Sequence, residues 1–201
     1  MICNVALILI AAGVAADNLV LAFVSGNDMA VFKLARMENP KSTIPPPHWL
    51  LILGLFFIIQ NMVLFYGEWF GLFTIGVLKG EQQLIAIGLL FSMSIRMLQE
   101  LKTKNSTAKQ VLLSTRQFLE IGLGTSIYVF AFGCALNWLN LDHRVVILAL
   151  LSLIILFLIA GTLLGKYHFK KTFKYLNTIA AFLVMTGSIL LIIELLKNNI
   201  K

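Results

Sequence analysis

Between Arg144 and Lys166 the chain is a run of Val, Ile, Leu, Phe and small residues without one charged side chain. Nothing else in the sequence restricts the fold as much. A helix rises about 1.5 Å per residue, so about 20 apolar residues cross a hydrocarbon layer of about 30 Å. Inside that layer every backbone N–H and C=O must be satisfied within the protein, which leaves helices or a closed barrel. Runs of this length recur, and the sequence predicts spans at Asn4–Gly26, His48 to about Phe70, Gln83–Lys102, Val111–Leu136, Arg144–Lys166 and Asn177–Leu196. The expectation is an all-α membrane protein with six transmembrane helices in a single transmembrane domain over residues 1–201. Composition agrees: charged residues are 12% and apolar residues 59% of the chain, against about 25% charged in a soluble domain. The first run reads as a retained helix and not a signal peptide, because no Lys or Arg precedes it and apolar sequence resumes from Leu19 to Val24.

The connecting segments set topology. Segment Phe70–Leu78 is apolar but too short to span, so it either extends the second helix or lies in the interface. The loop Asn27–Pro47 ends in Pro45, Pro46 and Pro47 and is extended there. Segment Lys166–Lys174 alternates aromatic and basic residues and can lie along the membrane surface. Of the 16 Lys and Arg, only Lys79, Arg144, Lys197 and Lys201 fall on one face. The richer face is cytoplasmic by the positive-inside rule, which places both termini outside. The formal charge of +7 therefore belongs to loops beside anionic lipid, and nucleic acid is not a partner. Cys3 and Cys134 are too few for a disulfide framework and read as two unrelated thiols.

The second half echoes the first. Gly67-Glu-Trp-Phe-Gly71 matches Gly161-Thr-Leu-Leu-Gly165, and Ser94 to Glu100 matches Ser188 to Glu194, both at an offset of 94 residues (161 − 67 and 194 − 100). Two halves of three helices each have opposite orientations, so the pattern predicts two inverted three-helix repeats, about 1–102 and about 111–201. Transporters built this way place their sites near the midplane, where the halves meet. The glycines themselves serve close helix packing.

Polar residues at span midpoints are the candidate site. Asp17 lies near the middle of the first span, where a carboxylate costs about 2.5–3.5 kcal/mol on insertion scales. Such a residue faces a cavity or a partner, and it points to a cation or proton site. Asn18 follows it. Gln60 and Asn61 lie midway along the second span, and Thr125, Ser126 and Tyr128 midway along the fourth. Oxygen donors from three helices at one depth suit a dehydrated hard cation. The competing reading for Gln60 and Asn61 is interhelical hydrogen bonding, and for Thr125 and Ser126 it is bonding to their own helix. Glu120 pairs with Arg116 one turn earlier. Glu68, Glu100 and Glu194 read as helix-end residues. The sequence has no Walker loop, HExxH or nucleophile elbow, and its three histidines lie at loop edges, so no enzyme activity is expected.

The ordered set Ala16-Asp17-Asn18-Leu19, Gln60 with Gly67-x-x-x-Gly71, Gly124-Thr-Ser-Ile127 and Leu163-Leu-Gly-Lys166 resembles the small six-helix manganese efflux pumps of bacteria (MntP-like), in the lysine-exporter superfamily. The Asp17-Asn18 pair is also similar to the longer tellurium-resistance family. The manganese family implies export of Mn²⁺ through a midplane site with one aspartate from helix 1 and one from helix 4. Asp17 matches the first, whereas Tyr128 stands where the second is expected. The family's hydroxyl residue five positions after the first aspartate is Ala22 here. One carboxylate holds a divalent ion less well than two, so either neutral oxygens compensate, or the cargo or the transport activity differs.

The expected function is secondary export of Mn²⁺ or a similar divalent cation across the bacterial inner membrane, with the ion as cargo and no resident cofactor. The expected ligands are Asp17, Asn18, Gln60, Asn61, Ser126 and Tyr128. Two alternatives stay open: export of a small amino-acid-like or organic solute, and a non-transporting membrane scaffold. A homodimer is compatible with the sequence.

Overall fold

The structure, a computed structural model, describes residues 4–16, 18–19, 22–23, 26, 49–78, 80–104, 115–139, 144–166 and 170–199. Asp17, the loop Asn27–Pro47, Cys3 and the three histidines lie outside the described residues. All regular structure among those described is helical. Helix α1 covers Asn4–Ala16, with Asn18, Leu19, Ala22, Phe23 and Gly26 also helical beyond it. The others are α2 (Trp49–Leu78), α3 (Gln82–Lys104), α4 (Thr115–Trp138), α5 (Arg144–Lys166) and α6 (Lys170–Asn199).

Helix α5 has the ends its sequence predicts, because Arg144 and Lys166 bound the apolar run. Helix α2 differs. It continues to Leu78, so segment Phe70–Leu78 is its last turns. The continuation ends at Gly80, whose φ of 93° is the left-handed geometry that stops a helix, while the Glu81 amide donates to the Leu78 carbonyl at 3.0 Å. The lengthening moves Glu68 into the helix interior, ten residues before its end (78 − 68), contrary to the expected helix-end position. Helix α6 begins at Lys170, so Lys170, Lys171 and Lys174 belong to its first turns and do not form a separate surface strip.

Among the described residues, three helices are long and apolar enough to cross a membrane, over Leu53–Leu78, Arg144–Gly165 and Thr178–Lys197. Shorter apolar helices cover Asn4–Ala16 and Leu123–Trp138. The distribution of polarity is the reverse of a water-soluble fold. Phe65, Trp69, Phe73, Leu148, Ile159 and Phe182 are exposed, whereas Asn18, Gln60, Ser94, Ser126, Asn137 and Ser188 are buried. An exterior this apolar needs lipid around it. The buried serines stay satisfied by bonding back along their helices, Ser94 Oγ to the Phe91 carbonyl (2.7 Å) and Ser188 Oγ to the Val184 carbonyl (2.8 Å).

Helix α2 packs most extensively on α4, and α3 on α6, with smaller contacts of α3 on α4 and α2 on α5. Glycines place α1 in this arrangement. A Cβ on Gly13 would meet Ala180 and Val184 of α6, one on Gly187 would meet Ala6 and Ile10 of α1, and one on Gly161 of α5 would meet Leu19, Ala22 and Phe23.

Candidate functional site

The contact of α2 with α4 is a close-packed seam. A Cβ at Gly67 would lie 2.4 Å from the Phe130 carbonyl oxygen, and one at Gly133 would lie 2.7 Å from that of Leu64. Without Cβ atoms the two backbones come near enough for side chains to bridge them. At one end, Asn137 Nδ2 donates to the Glu68 carbonyl at 2.9 Å, and Trp138 Nε1 is shared between the Gly71 carbonyl (3.1 Å) and Thr74 Oγ1 (3.0 Å). The Phe70 and Phe130 rings touch at 5.8 Å between centroids.

Further along the same seam lies the polar group that the sequence singles out. Gln60 is fully buried on α2. Its Nε2 donates to Ser126 Oγ at 3.1 Å and more weakly to Thr125 Oγ1 at 3.5 Å, both on α4. Its Oε1 is buried and accepts no hydrogen bond. Asn18 on α1 is 1% exposed, and both Oδ1 and Nδ2 are buried without a partner. A buried polar atom left unmatched costs about 1–3 kcal/mol. Three such atoms lie on these two amides. Each of these amides carries a carbonyl oxygen, the donor type that hard cations take.

The other expected ligands divide. Ser126 and Tyr128 are buried on α4. Asn61 is half-buried and donates through Nδ2 to the Phe57 carbonyl of its own helix at 2.7 Å, so that amide is bonded within α2 and not across helices. Asp17 lies outside the described residues. Among the described residues no three His, Cys, Asp or Glu come together, and Cys134 is a free, buried thiol. Sequence reading missed the Asn137–Trp138 bridge. Its only sign was a polar–aromatic pair at the close of an apolar run, which resembles an ordinary helix terminus.

Three contacts of the seam between α1 and α5 match contacts of the α2–α4 seam at fixed offsets. Gly67 abuts Phe130, and Gly161 abuts Leu19; the α5 and α2 members differ by 94 (161 − 67) and the α4 and α1 members by 111 (130 − 19). The same two offsets relate the Gly67–Gly133 approach to that of Gly161 and Ala22 (133 − 22). They also relate Asn137 on the Glu68 carbonyl to Gly26 against the Thr162 carbonyl (137 − 26 and 162 − 68). Ala22, found where a hydroxyl residue is expected, lies against Gly161, where a small side chain fits. At the α1–α4 offset Tyr128 corresponds to Asp17 (128 − 17).

Apolar helices long enough to span and an apolar exterior define a helical membrane protein. The family model described as "Putative manganese efflux pump" matches residues 46–195, and the chain belongs to that family of transporters, which are not enzymes. The match takes in Gln60, Ser126 and Tyr128 and begins after Asp17 and Asn18. Neither the comparison with curated proteins nor that with solved structures gives a match.

Proposed function

We propose that this chain is a secondary exporter of Mn²⁺ or a similar divalent cation in the bacterial inner membrane. Its ligands are the Asp17 carboxylate and the neutral oxygens of Asn18, Gln60 and Tyr128, with Asn61 and Ser126 beside them. The observation that carries the reading is the set of buried, unmatched amide atoms on Asn18 and Gln60. Membership of a manganese efflux family supplies the cargo. A cation between the two amides would take up their carbonyl oxygens and offset the cost of burying them.

The six helices form two inverted three-helix repeats, about 1–102 and about 111–201, with both termini outside. The paired contacts of the two seams support this arrangement. The ion reaches Asp17 from the cytoplasm and leaves outward as the two halves rock against each other. The membrane potential favours inward cation movement, so export draws on a coupled ion, and proton exchange on Asp17 is one way to provide it.

The test is growth of a manganese-sensitive bacterial strain, together with Mn²⁺ efflux from loaded cells. The expected result is rescue by the wild-type chain and loss of at least about 90% of efflux for Asp17→Asn at equal membrane abundance, since the fixed charge is the main attraction for the ion. Failure to rescue with the protein confirmed in the membrane, or full activity of Asp17→Asn, overturns the proposal.

A further inference from the structure

We infer that Ser126, with Thr125 assisting, is a positioning residue that turns the Gln60 amide so that its oxygen and not its nitrogen faces the ion. The inference rests on the cation-export reading above. It assigns Ser126 a different task from the ligand role expected of it.

An amide is chemically two-faced: Oε1 attracts a cation, and the NH₂ group repels it. Gln60 is completely buried, so water cannot decide which end points where. A hydroxyl distinguishes the two ends only when its own proton is committed elsewhere, and donation along α4 leaves Ser126 and Thr125 only lone pairs to offer the amide. Ser126 Oγ lies 3.1 Å and Thr125 Oγ1 3.5 Å from Nε2, so both accept from the same NH₂ group and hold it toward α4. The amide plane then points Oε1 the opposite way, and that atom is the one without a hydrogen-bond partner. A hydroxyl on an apolar transmembrane helix is suited to this task because it can donate along its own helix while accepting from a neighbour. The seam that presents the hydroxyls is held at short range by Gly67 and Gly133, so the glycine pair and the amide orientation form one device. At the matching offsets in the α1–α5 seam stand Ile154, Val14 and Ala15 (154 − 60, 125 − 14 and 126 − 15), so the device is present once.

A double-mutant cycle on purified full-length protein tests this, with Mn²⁺ binding read by electron paramagnetic resonance of the free ion. Ser126→Ala is expected to weaken Mn²⁺ binding about three- to tenfold, the effect of one neutral hydrogen bond. Half-saturation of transport should shift by the same factor, with maximal rate within about twofold. In a Gln60→Ala background Ser126→Ala should add less than about 1.5-fold, because no amide is left to orient. Gln60→Glu gives a second background. Its two oxygens are equivalent acceptors, so the Ser126 effect should again vanish. An undiminished Ser126→Ala effect in either background makes the hydroxyl a direct ligand and overturns the positioning role while leaving cation export standing. A wild-type chain with no saturable Mn²⁺ binding instead overturns cation export itself, and the positioning role with it.

Discussion

The α2–α4 and α1–α5 seams share a backbone design and differ in chemistry. Both bring a glycine of one helix onto a carbonyl oxygen of the other, Gly67 on Phe130 and Gly161 on Leu19. Side chains then cross the α2–α4 seam at two levels, Gln60 to Ser126 and Asn137 with Trp138 to the α2 backbone. The positions equivalent to Gln60, Thr125 and Ser126 on the other side are Ile154, Val14 and Ala15, all buried, and the position equivalent to Asn137 is Gly26. The two seams thus share close packing, and the polar crossings lie at the α2–α4 seam. Interhelical hydrogen bonds in membranes contribute about 0.6 kcal/mol each on average, so these crossings add a modest fastening that the equivalent positions of the α1–α5 seam lack.

The largest expected effect breaks the shared design. Gly67→Val and Gly161→Val each force a side chain into a space where even a Cβ would stand 2.4 and 2.5 Å from a backbone oxygen. Backbone must move in both cases, and overpacking of this kind costs about 1–3 kcal/mol or more. Both variants should lose most of their folded yield, measured by size-exclusion profile after detergent extraction. Gly88→Ala, with open space around its Cβ position, should extract like the wild type. A tolerated Gly161→Val beside a lethal Gly67→Val would dissolve the equivalence of the two seams. If the chain were a scaffold and not a transporter, the glycine variants would abolish its role while Asp17→Asn left it intact.

An exchange of chemistry between the seams is expected to have an intermediate effect. Ile154→Gln places an amide where Val14 and Ala15 offer no hydroxyl, so a buried polar group goes unmatched at a cost of about 1–3 kcal/mol. Gln60→Leu removes an amide that already leaves Oε1 unmatched, so stability should change by less than about 1 kcal/mol while Mn²⁺ efflux falls at least about tenfold. Thermal unfolding and efflux measured on the same two variants separate the effects. Equal destabilisation by both substitutions would mean the polar seam is structural and not a binding device.

Much of the membrane character was legible because hydrocarbon thickness and backbone satisfaction act on runs of sequence. Arg144–Lys166 gave both ends of α5 for that reason. Gln60 and Ser126 were each legible as candidates because amides and hydroxyls stand out in an apolar run, although nothing in their spacing shows that they bond to each other or which is ligand and which is support. The 94-residue offset could be read from Gly67 and Gly161, since both members are glycine. The 111-residue offset could not, because it joins Gly133 to Ala22 and Asn137 to Gly26, which share small size or close approach and no identity. The end of α2 was legible only as one of two outcomes, an extension of the helix or an interfacial segment, because Phe70–Leu78 is short when counted apart from the turns before it. Glu68 was misplaced as a consequence.

The smallest expected effect sharpens the comparison at the end of the polar seam. Trp138 is 8% exposed, and its Nε1–H is shared between the Gly71 carbonyl and Thr74 Oγ1. Trp138→Phe removes that donor and leaves neither acceptor stranded, because Thr74 Oγ1 also donates to the Phe70 and Gly71 carbonyls. The loss should therefore be about 0.5 kcal/mol, the value of an interhelical bond whose partners find others. Trp138→Ala also empties the buried ring volume and should cost about 3–5 kcal/mol. The ratio of the two, read from melting temperatures in one detergent, tells whether α2 and α4 are fastened by hydrogen bonding or by fit. A Trp138→Phe loss approaching that of Trp138→Ala would make the bridge itself the fastening. The contrast with the α1–α5 seam would then be one of bonding alone, with packing equal on both sides.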